Sequence, residues 1–244
     1  MMKTYKIAER NIVISSLHDE VHRLCIDYLS PDSVPDFAVE TTQEDIEYER
    51  EKSIREDEIE HIPIRHFSDG YLETLAIYRK IAEKMPEYDT ILVHGSCVAV
   101  DGKGYLFTAK SGTGKSTHTR LWRQELGERA VMVNDDKPLI RISENGLVIY
   151  GTPWDGKHRL SNNIAVPLKA LCILERAQNN TIREISIGEA YPMLLQQVYR
   201  PMDSMAMNQT LTLIDRLASS VSLWRLRCNT DIEAARIAYH AMKG

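Results

Sequence analysis

The pattern of hydrophobic and polar positions changes near residue 86 and so divides the chain into two regions. Residues 4–15 have the alternation of one or two short strands, whereas residues 69–85 carry apolar side chains at helical spacing and end beside Pro86. The densely charged run at residues 43–60 lies between them. A solvated helix face or an exposed hairpin explains this run, with a docking surface for a basic partner as the alternative, and we assign it no function.

From Thr90 onward, short β segments alternate with helical segments. The predicted strands are ILVHG, SCVAVD, YLFTA, VMVND, KPLIRIS, LVIYG, LKALCILERA and SLWRLRC. The predicted helices are residues 115–126, 188–199, 203–219 and 230–242. This order predicts an α/β fold with a mixed β-sheet flanked by helices. We therefore expect a small α+β region at residues 1–86 and a main domain at residues 87–244.

Composition narrows the class of protein. Hydrophobic residues at 43% and charged residues at 27% are ordinary globular values, and no stretch has the apolar length of a membrane span. The first ten residues lack the apolar segment of a secretory signal, so we expect a cytoplasmic protein without a membrane partner. A net charge of -5 argues against nucleic-acid binding. The scattered cysteines predict buried free thiols: Cys25, Cys97, Cys172 and Cys228.

The glycine-rich loop, residues 109–116, reads Ala-Lys-Ser-Gly-Thr-Gly-Lys-Ser between a predicted strand and a predicted helix. Successive backbone amides that open onto a helix N-terminus suit the oxygens of a nucleoside triphosphate. Lysine can reach the β- and γ-phosphates, and the serine hydroxyl can bind magnesium. Glycine is usual at the first position, where this chain has alanine, and an incidental surface turn is the alternative. The predicted nucleotide-binding residues are Ser111, Gly112, Thr113, Gly114, Lys115, Ser116 and Thr117.

Two carboxylates, Asp135 and Asp136, follow the strand VMVND and are called here the acidic pair. Ligands bind at such strand ends in open α/β sheets, and magnesium prefers carboxylate, hydroxyl and phosphate oxygens. One aspartate can therefore hold the metal with Ser116, while the other orients or deprotonates an attacking hydroxyl. A bland turn between two strands is the alternative.

Several elements in this order resemble the HPr kinase/phosphorylase family, whose nucleotide core is similar to that of phosphoenolpyruvate carboxykinase. The resemblance covers residues 94–142 and rests on His94-Gly95, the hairpin glycines Gly102 and Gly104, the loop SGTGKST and the acidic pair. It implies a P-loop core of that type at residues 87–244. It further implies catalytic roles for His94, Asp135 and Asp136, with Asp135 as the first choice for the base, and the loop motif adds Lys115 to the predicted catalytic residues. His118, just past the loop, reads as a surface or packing residue.

Beyond residue 142 the resemblance weakens. The 150–158 segment, YGTPWDGKH, has no glutamate where the family carries an acidic metal ligand, so HPr itself is in doubt as the substrate. Charged residues among turn formers are candidates for substrate contacts or for completing a metal shell. The candidate substrate residues are Asp155, Lys157, Arg159 and Arg200. For each residue a solvated turn or a helix cap is the alternative.

These observations predict a kinase that uses ATP or GTP with Mg²⁺ and transfers the γ-phosphate to a hydroxyl of a protein, a peptide or a small molecule. A hydrolytic or carboxykinase-like use of the same core is the rival among enzymes. A nucleotide-binding sensor without turnover is the rival from another class. Oligomeric state stays open.

Overall fold

A computed structural model describes residues 1–31 and 33–244. The chain divides into two compact units, Met1–Ala82 and Glu83–Gly244. The sequence pattern predicts the division slightly further along, between residues 86 and 87.

The first unit contains a three-stranded sheet with the order β1-β2-β3, in which β1 and β2 are antiparallel and β2 and β3 are parallel. Its elements, with the helix that leads out of it, are β1 (Met2–Ile7), β2 (Arg10–Ser15), α1 (Glu20–Leu24), β3 (Phe37–Glu40), α2 (Gln43–Ile59) and α3 (Asp69–Lys84). The strand pair at residues 4–15 and the helix at 69–85 are present as predicted.

The charged run predicted at residues 43–60 is the helix α2. It is less solvated than expected, because Glu49 is buried and accepts a hydrogen bond from Arg79 Nε at 2.6 Å. Asp57 is also buried and is bound by Arg65 through Nε and Nη2 at 2.9 and 2.6 Å. Charged partners inside the unit thus compensate the burial of these carboxylates.

The second unit holds the remaining helices and strands. They are β4 (Thr90–Leu92), β5 (Ser96–Val100), β6 (Lys103–Thr108), α4 (Lys115–Leu126), β7 (Ala130–Asn134), β8 (Leu139–Ser143), β9 (Gly146–Tyr150), β10 (Ala165–Arg176), β11 (Thr181–Glu184), α5 (Ile187–Gln197), α6 (Ser204–Ser220), β12 (Ser222–Cys228) and α7 (Ile232–Met242). The unit therefore has the mixed α/β architecture that the sequence predicts.

The long strand β10 organises the sheet of this unit. Strand order is β4-β8-β9-β10-β6-β5-β7, with β12 also paired to β10 and β11 paired to β12. The first residues of β10 pair with β9 in antiparallel fashion, and its later residues pair in parallel with β6 and β12. One strand thus joins an antiparallel meander to a parallel core.

Side chains along the central strands alternate between the two faces of the sheet, as the twofold period of a strand requires. Cys97 and Leu106 pack on the face covered by α5 and α6, whereas Val98 and Phe107 pack on the face covered by α4 and α7. The strands read as continuous apolar runs because both faces are buried.

One edge of the sheet gathers the ends of several strands. Because β6, β10 and β12 are parallel, Thr108, Arg176 and Cys228 end at the same edge. Both β6 and β7 are antiparallel to β5, so Asn134 also ends there and Ser96 begins there. This edge is where open α/β sheets place ligands.

Within residues 1–31 and 33–244, no helix combines the length and the apolar character needed to cross a membrane.

Candidate functional site

The glycine-rich loop leaves β6 at the gathered edge and enters α4 at Lys115. Gly112 and Gly114 have φ angles of +73° and +117°, a region that residues with a Cβ rarely adopt. No atom lies within 4 Å of a Cβ built on either glycine, so the loop borders open space. Glycine is therefore required at both positions by the positive φ angle of the backbone and not by a lack of space for a side chain.

Lys115 is buried at the first turn of α4, and its Nζ donates a hydrogen bond to the backbone oxygen of Ala109 at 3.0 Å. Burial lowers the pKa of the ammonium group, and the nearby acidic pair opposes that effect. The lysine is thus folded back over its own loop and faces the two aspartates.

Asp135 lies just beyond β7 and is 6% exposed. Its Oδ1 accepts a hydrogen bond from Ser96 Oγ at 2.6 Å. Burial raises the pKa of this carboxyl, although the hydroxyls of Ser96 and Ser116 favour its ionised form. The aspartate therefore lies close to the last residue of the glycine-rich loop.

Asp136 has a different environment. Its carboxylate lies 3.4 Å from His94 Nε2 and 2.6 Å from Lys137 Nζ. Burial alone would favour the neutral acid, but His94 and Lys137 lower the pKa of Asp136 below its usual value. The two neighbouring aspartates thus have pKa values shifted in opposite directions.

His94 is held from its other side by α5. Its Nδ1 lies 2.9 Å from the side-chain Oε1 of Gln197. Its backbone amide donates a hydrogen bond to the backbone oxygen of Gln197 at 2.7 Å. With Gln197 as acceptor, Nδ1 carries a proton and Nε2 faces Asp136. Gln197, His94 and Asp136 therefore form a chain of side chains that ends at the acidic pair.

The buried amide of Asn134 ties the acidic pair to the 150–158 segment. Its Nδ2 donates hydrogen bonds to the backbone oxygens of Thr152 and Trp154 at 3.0 and 3.3 Å. Its Oδ1 accepts from the backbone amides of Asp136 and Lys137 at 2.9 and 2.7 Å. Two loops that are separated in sequence are thereby held by a single side chain.

Asp155 is brought beside the acidic pair by this arrangement. It is 7% exposed, and its Oδ2 accepts from Ser161 Oγ at 3.0 Å. Its Oδ1 is buried and has no hydrogen-bond partner among the described residues, with Arg159 Nη1 3.7 Å away. A Cβ on the following Gly156 would lie 3.0 Å from Asp136 Cβ, so the segments are in close contact.

The other candidate substrate residues are not gathered in the same way. Lys157 is exposed in the 150–158 segment, and Arg159, just beyond it, is exposed with its Nη1 3.7 Å from Asp155 Oδ1. Arg200 is exposed beyond α5. Because Gln197 pairs with His94 and Tyr199 pairs with Leu92, the chain runs away from the site before it reaches Arg200.

His118 is a packing residue in α4. It is 2% exposed, and its Nε2 accepts a hydrogen bond from Trp122 Nε1 at 3.0 Å. Burial lowers the pKa of this histidine to about 3.

Within the described part of the chain, no group of three or more His, Cys, Asp or Glu side chains is placed to hold a metal ion. The oxygens available to one are those of Ser116, Asp135 and Asp155, and the Asp155 Oδ1 is buried without a hydrogen-bond partner among the described residues. Magnesium in phosphoryl-transfer sites commonly takes one or two carboxylates and completes its shell with substrate phosphates and water. The residues present fit such a partial shell.

Sequence reasoning overlooked two side chains of this site. Ser96 reads as an ordinary strand residue, and its contact with Asp135 arises from the pairing of β5 with β7. Gln197 follows Ala190 and Leu194 at helical spacing, which places its amide on the buried face of α5. A polar residue at such a position was the signal that could have revealed it.

Comparison with known proteins matches this chain to one family model and to solved structures. The family model described as SynChlorMet cassette protein ScmC matches residues 68–228. This model describes a different family from the HPr kinase/phosphorylase group that the motifs resemble. The solved structure of the Hpr(Ser) kinase/phosphatase from Coxiella burnetii is 13% identical, covers 63% of this chain and 99% of its own, and has a TM-score of 0.34. No curated protein matches.

Proposed function

This chain belongs to the SynChlorMet cassette protein ScmC family, and we propose that it is a magnesium-dependent kinase with a P-loop core of HPr kinase type. It transfers the γ-phosphate of ATP or another nucleoside triphosphate to a hydroxyl group. The observation that carries this proposal is the proximity of the buried Asp135 to Lys115 and Ser116 at the end of the glycine-rich loop. A loop for phosphates and a carboxylate for a metal meet at that point.

Phosphates bind at the glycine-rich loop in this proposal. The backbone amides around Gly112 and Gly114 and the N-terminus of α4 supply donors and a positive dipole end. Lys115 exchanges its hydrogen bond to the Ala109 oxygen for one to a phosphate oxygen. The buried ammonium group gains a charged partner, which offsets the cost of its burial.

Ser116 and Asp135 would hold magnesium, with Asp155 as a further carboxylate. The metal would supply positive charge that neutralises the charge developing on the phosphate oxygens during transfer. The hydrogen bond from Ser96 orients Asp135, and the Asp155 Oδ1, which accepts no hydrogen bond from the described residues and lies 3.7 Å from Arg159 Nη1, keeps lone pairs for a cation. A cation would also favour the ionised form of Asp135 and so offset the effect of burial on its pKa.

The acceptor hydroxyl contacts Asp136, and this division of roles differs from the prediction that Asp135 is the base. Asp136 is the more exposed of the two carboxylates, with 23% of its side chain accessible, whereas Asp135 is covered by two hydroxyls. A candidate base must first reach the proton it takes. Asp136 stays ionised beside His94 and accepts the hydroxyl hydrogen bond, which orients the nucleophile toward the γ-phosphate.

Nucleotide binding is tested with the purified chain and two lysine variants. Lys115→Ala should lose the rise in melting temperature that ATP with magnesium gives, because a ligand bound only to the folded state stabilises it by mass action. Lys110→Ala removes an exposed lysine of the same loop and should keep most of that rise. An equal rise in both variants would refute the assignment of the loop.

Turnover is tested with γ-labelled ATP, magnesium and a peptide library that contains serine and threonine. Label on a peptide supports the kinase. Free phosphate without labelled peptide indicates a hydrolase, and binding without either product indicates a sensor. Asp136→Asn should keep nucleotide binding and lose at least about a hundredfold in transfer, the usual contribution of a positioned base. Retained transfer would move this role elsewhere.

A further inference from the structure

A cavity of about 300 Å³ lies beside the glycine-rich loop, at the ends of β10 and β12. Its lining residues are Thr113, Gly114, Thr117, His118, Leu121, Leu174, Glu175, Arg176, Ala177, Cys228, Asn229 and Thr230. No residue of the acidic pair and no residue of the 150–158 segment lines it, so the proposed transfer site leaves the cavity unused.

The loop forms the wall between the cavity and the acidic pair. Thr113, Gly114 and Thr117 border the cavity, while the neighbouring Lys115 and Ser116 interact with the two aspartates. In a loop of this kind the lysine and the serine serve the β- and γ-phosphates and the metal. A triphosphate laid along the loop with its γ-phosphate toward Asp136 therefore has its α-phosphate toward the cavity.

We propose that this cavity binds the nucleoside moiety, base and ribose, of the nucleotide whose phosphates occupy the glycine-rich loop. The inference rests on the proposed function and extends it to a separate subsite. Leu121 and Leu174 offer apolar surface to a base, and Thr117 and Thr230 offer hydroxyls at the wall and the rim. A cavity with apolar walls and a few polar groups is the usual form of a small-ligand site.

A buried histidine with an unpaired ring nitrogen forms part of the cavity wall. Trp122 Nε1 donates to His118 Nε2, so the neutral ring carries its proton on Nδ1. This Nδ1 is buried and has no hydrogen-bond partner among the described residues. An unpaired buried donor costs free energy, so this wall is polar as well as apolar.

Cys228 supplies a reporter for the subsite. It lines the cavity and is partly exposed, whereas Cys25, Cys97 and Cys172 are 0% exposed. Alkylation of the full-length native chain should therefore occur at Cys228, and mass spectrometry of digested protein locates the label. Cys228→Ser should remove the labelling and serves as the control.

The experiment compares ATP, GTP and inorganic tripolyphosphate, each with magnesium. At about ten times its dissociation constant, the nucleotide that binds should slow alkylation of Cys228 about tenfold, because only the unbound fraction reacts. Tripolyphosphate should raise the melting temperature but leave the alkylation rate unchanged. Equal protection by tripolyphosphate, or none by a nucleotide that raises the melting temperature, overturns the subsite. If none of the three ligands raises the melting temperature, the proposed function itself fails.

A second measurement uses the size of the cavity. Ala177→Phe places a ring at its rim and should weaken binding of ATP or GTP at least about tenfold, while binding of tripolyphosphate stays as in the parent. Gln178→Phe places the same ring on the exposed neighbouring residue, outside the cavity lining, and should bind both ligands normally. Loss of tripolyphosphate binding in Ala177→Phe, or full nucleotide binding, would contradict the inference.

Discussion

The two aspartates of the acidic pair are adjacent in sequence but opposite in electrostatics. Asp135 is buried under Ser96 and Ser116, and burial raises its pKa. Asp136 is the next residue along the chain, yet its contacts with His94 and Lys137 outweigh burial and lower its pKa. Environments that separate the pKa values of paired carboxyls are typical of sites with divided roles.

Asp135→Asn should raise the melting temperature of the ligand-free protein and abolish magnesium-dependent transfer. The amide removes a charge whose burial is unfavourable, while its oxygen can still accept hydrogen bonds from Ser96 and Ser116. Since the folded pKa is raised, wild-type stability decreases as pH rises through that pKa. The gain should thus be largest at neutral pH and shrink as pH falls toward the ordinary pKa of aspartate.

Asp136→Asn should have the opposite effect and lower the melting temperature. Its folded pKa is depressed, so its stabilising contribution is present above the unfolded pKa and is lost as pH falls toward the folded one. Thermal unfolding followed from pH 7 to acid measures both variants in one series. Melting temperatures that shift in the same direction at neutral pH would contradict this description of the pair.

Asn134→Ala should destabilise the fold by about 3 kcal/mol, because it leaves several buried backbone groups without partners. The amide joins the strand end at β7 to the carbonyl oxygens of Thr152 and Trp154. Urea unfolding measures the loss. Asn145→Ala, in an exposed turn, should change stability by less than about 0.5 kcal/mol, as surface substitutions usually do. Similar losses in both variants would be inconsistent with this role of Asn134.

Among the secondary-structure elements, β10 contributes the residue that braces the glycine-rich loop. Arg176, at the end of β10, donates from Nη2 to the Gly112 oxygen and from Nε to the Thr113 oxygen at 3.2 Å. The loop is therefore held from the neighbouring strand end as well as by Lys115. Such a contact keeps the amides in place before a ligand binds, which lowers the ordering cost of binding.

Arg176→Ala should speed hydrogen exchange at residues 112–114 in the ligand-free protein by roughly fivefold, the equivalent of about 1 kcal/mol for the lost hydrogen bonds. Arg227→Ala removes an exposed arginine of β12 and should leave exchange in the loop unchanged. Exchange followed by mass spectrometry of overlapping peptides measures both. Unaltered exchange in Arg176→Ala would show that the loop does not depend on this contact.

At the scale of the whole molecule, burial of the cysteine thiols allows thiol modification to distinguish the native protein from the unfolded one. Three cysteines are fully buried and Cys228 is partly exposed, in broad agreement with the expectation of buried free thiols. A thiol reagent should therefore modify about one cysteine per native chain and about four in denaturant, because access requires unfolding. Mass spectrometry counts the labels. Rapid modification of several thiols in native buffer would contradict the packing of the core.

Local patterns were sufficient for most elements of this protein. Helical spacing, strand-like apolar runs and a glycine-rich loop predict α3, α4 and the strands from β4 to β10 close to their observed limits. The short strands β3 and β11 and the helix α1 were not predicted. Each has only a few residues, and their apolar pattern is too brief to separate them from loops.

The surroundings of the candidate site were decided by pairing and packing between residues that are distant in sequence. The motif at residues 109–116 and the adjacent aspartates are legible in sequence because their chemistry depends on residue type and spacing. Their surroundings are not legible in the same way, since Ser96 and Gln197 reach the site through strand register and packing across many residues. That packing decides how deeply each aspartate is buried and which groups it contacts. The opposite pKa shifts of Asp135 and Asp136 follow from it and not from either residue alone.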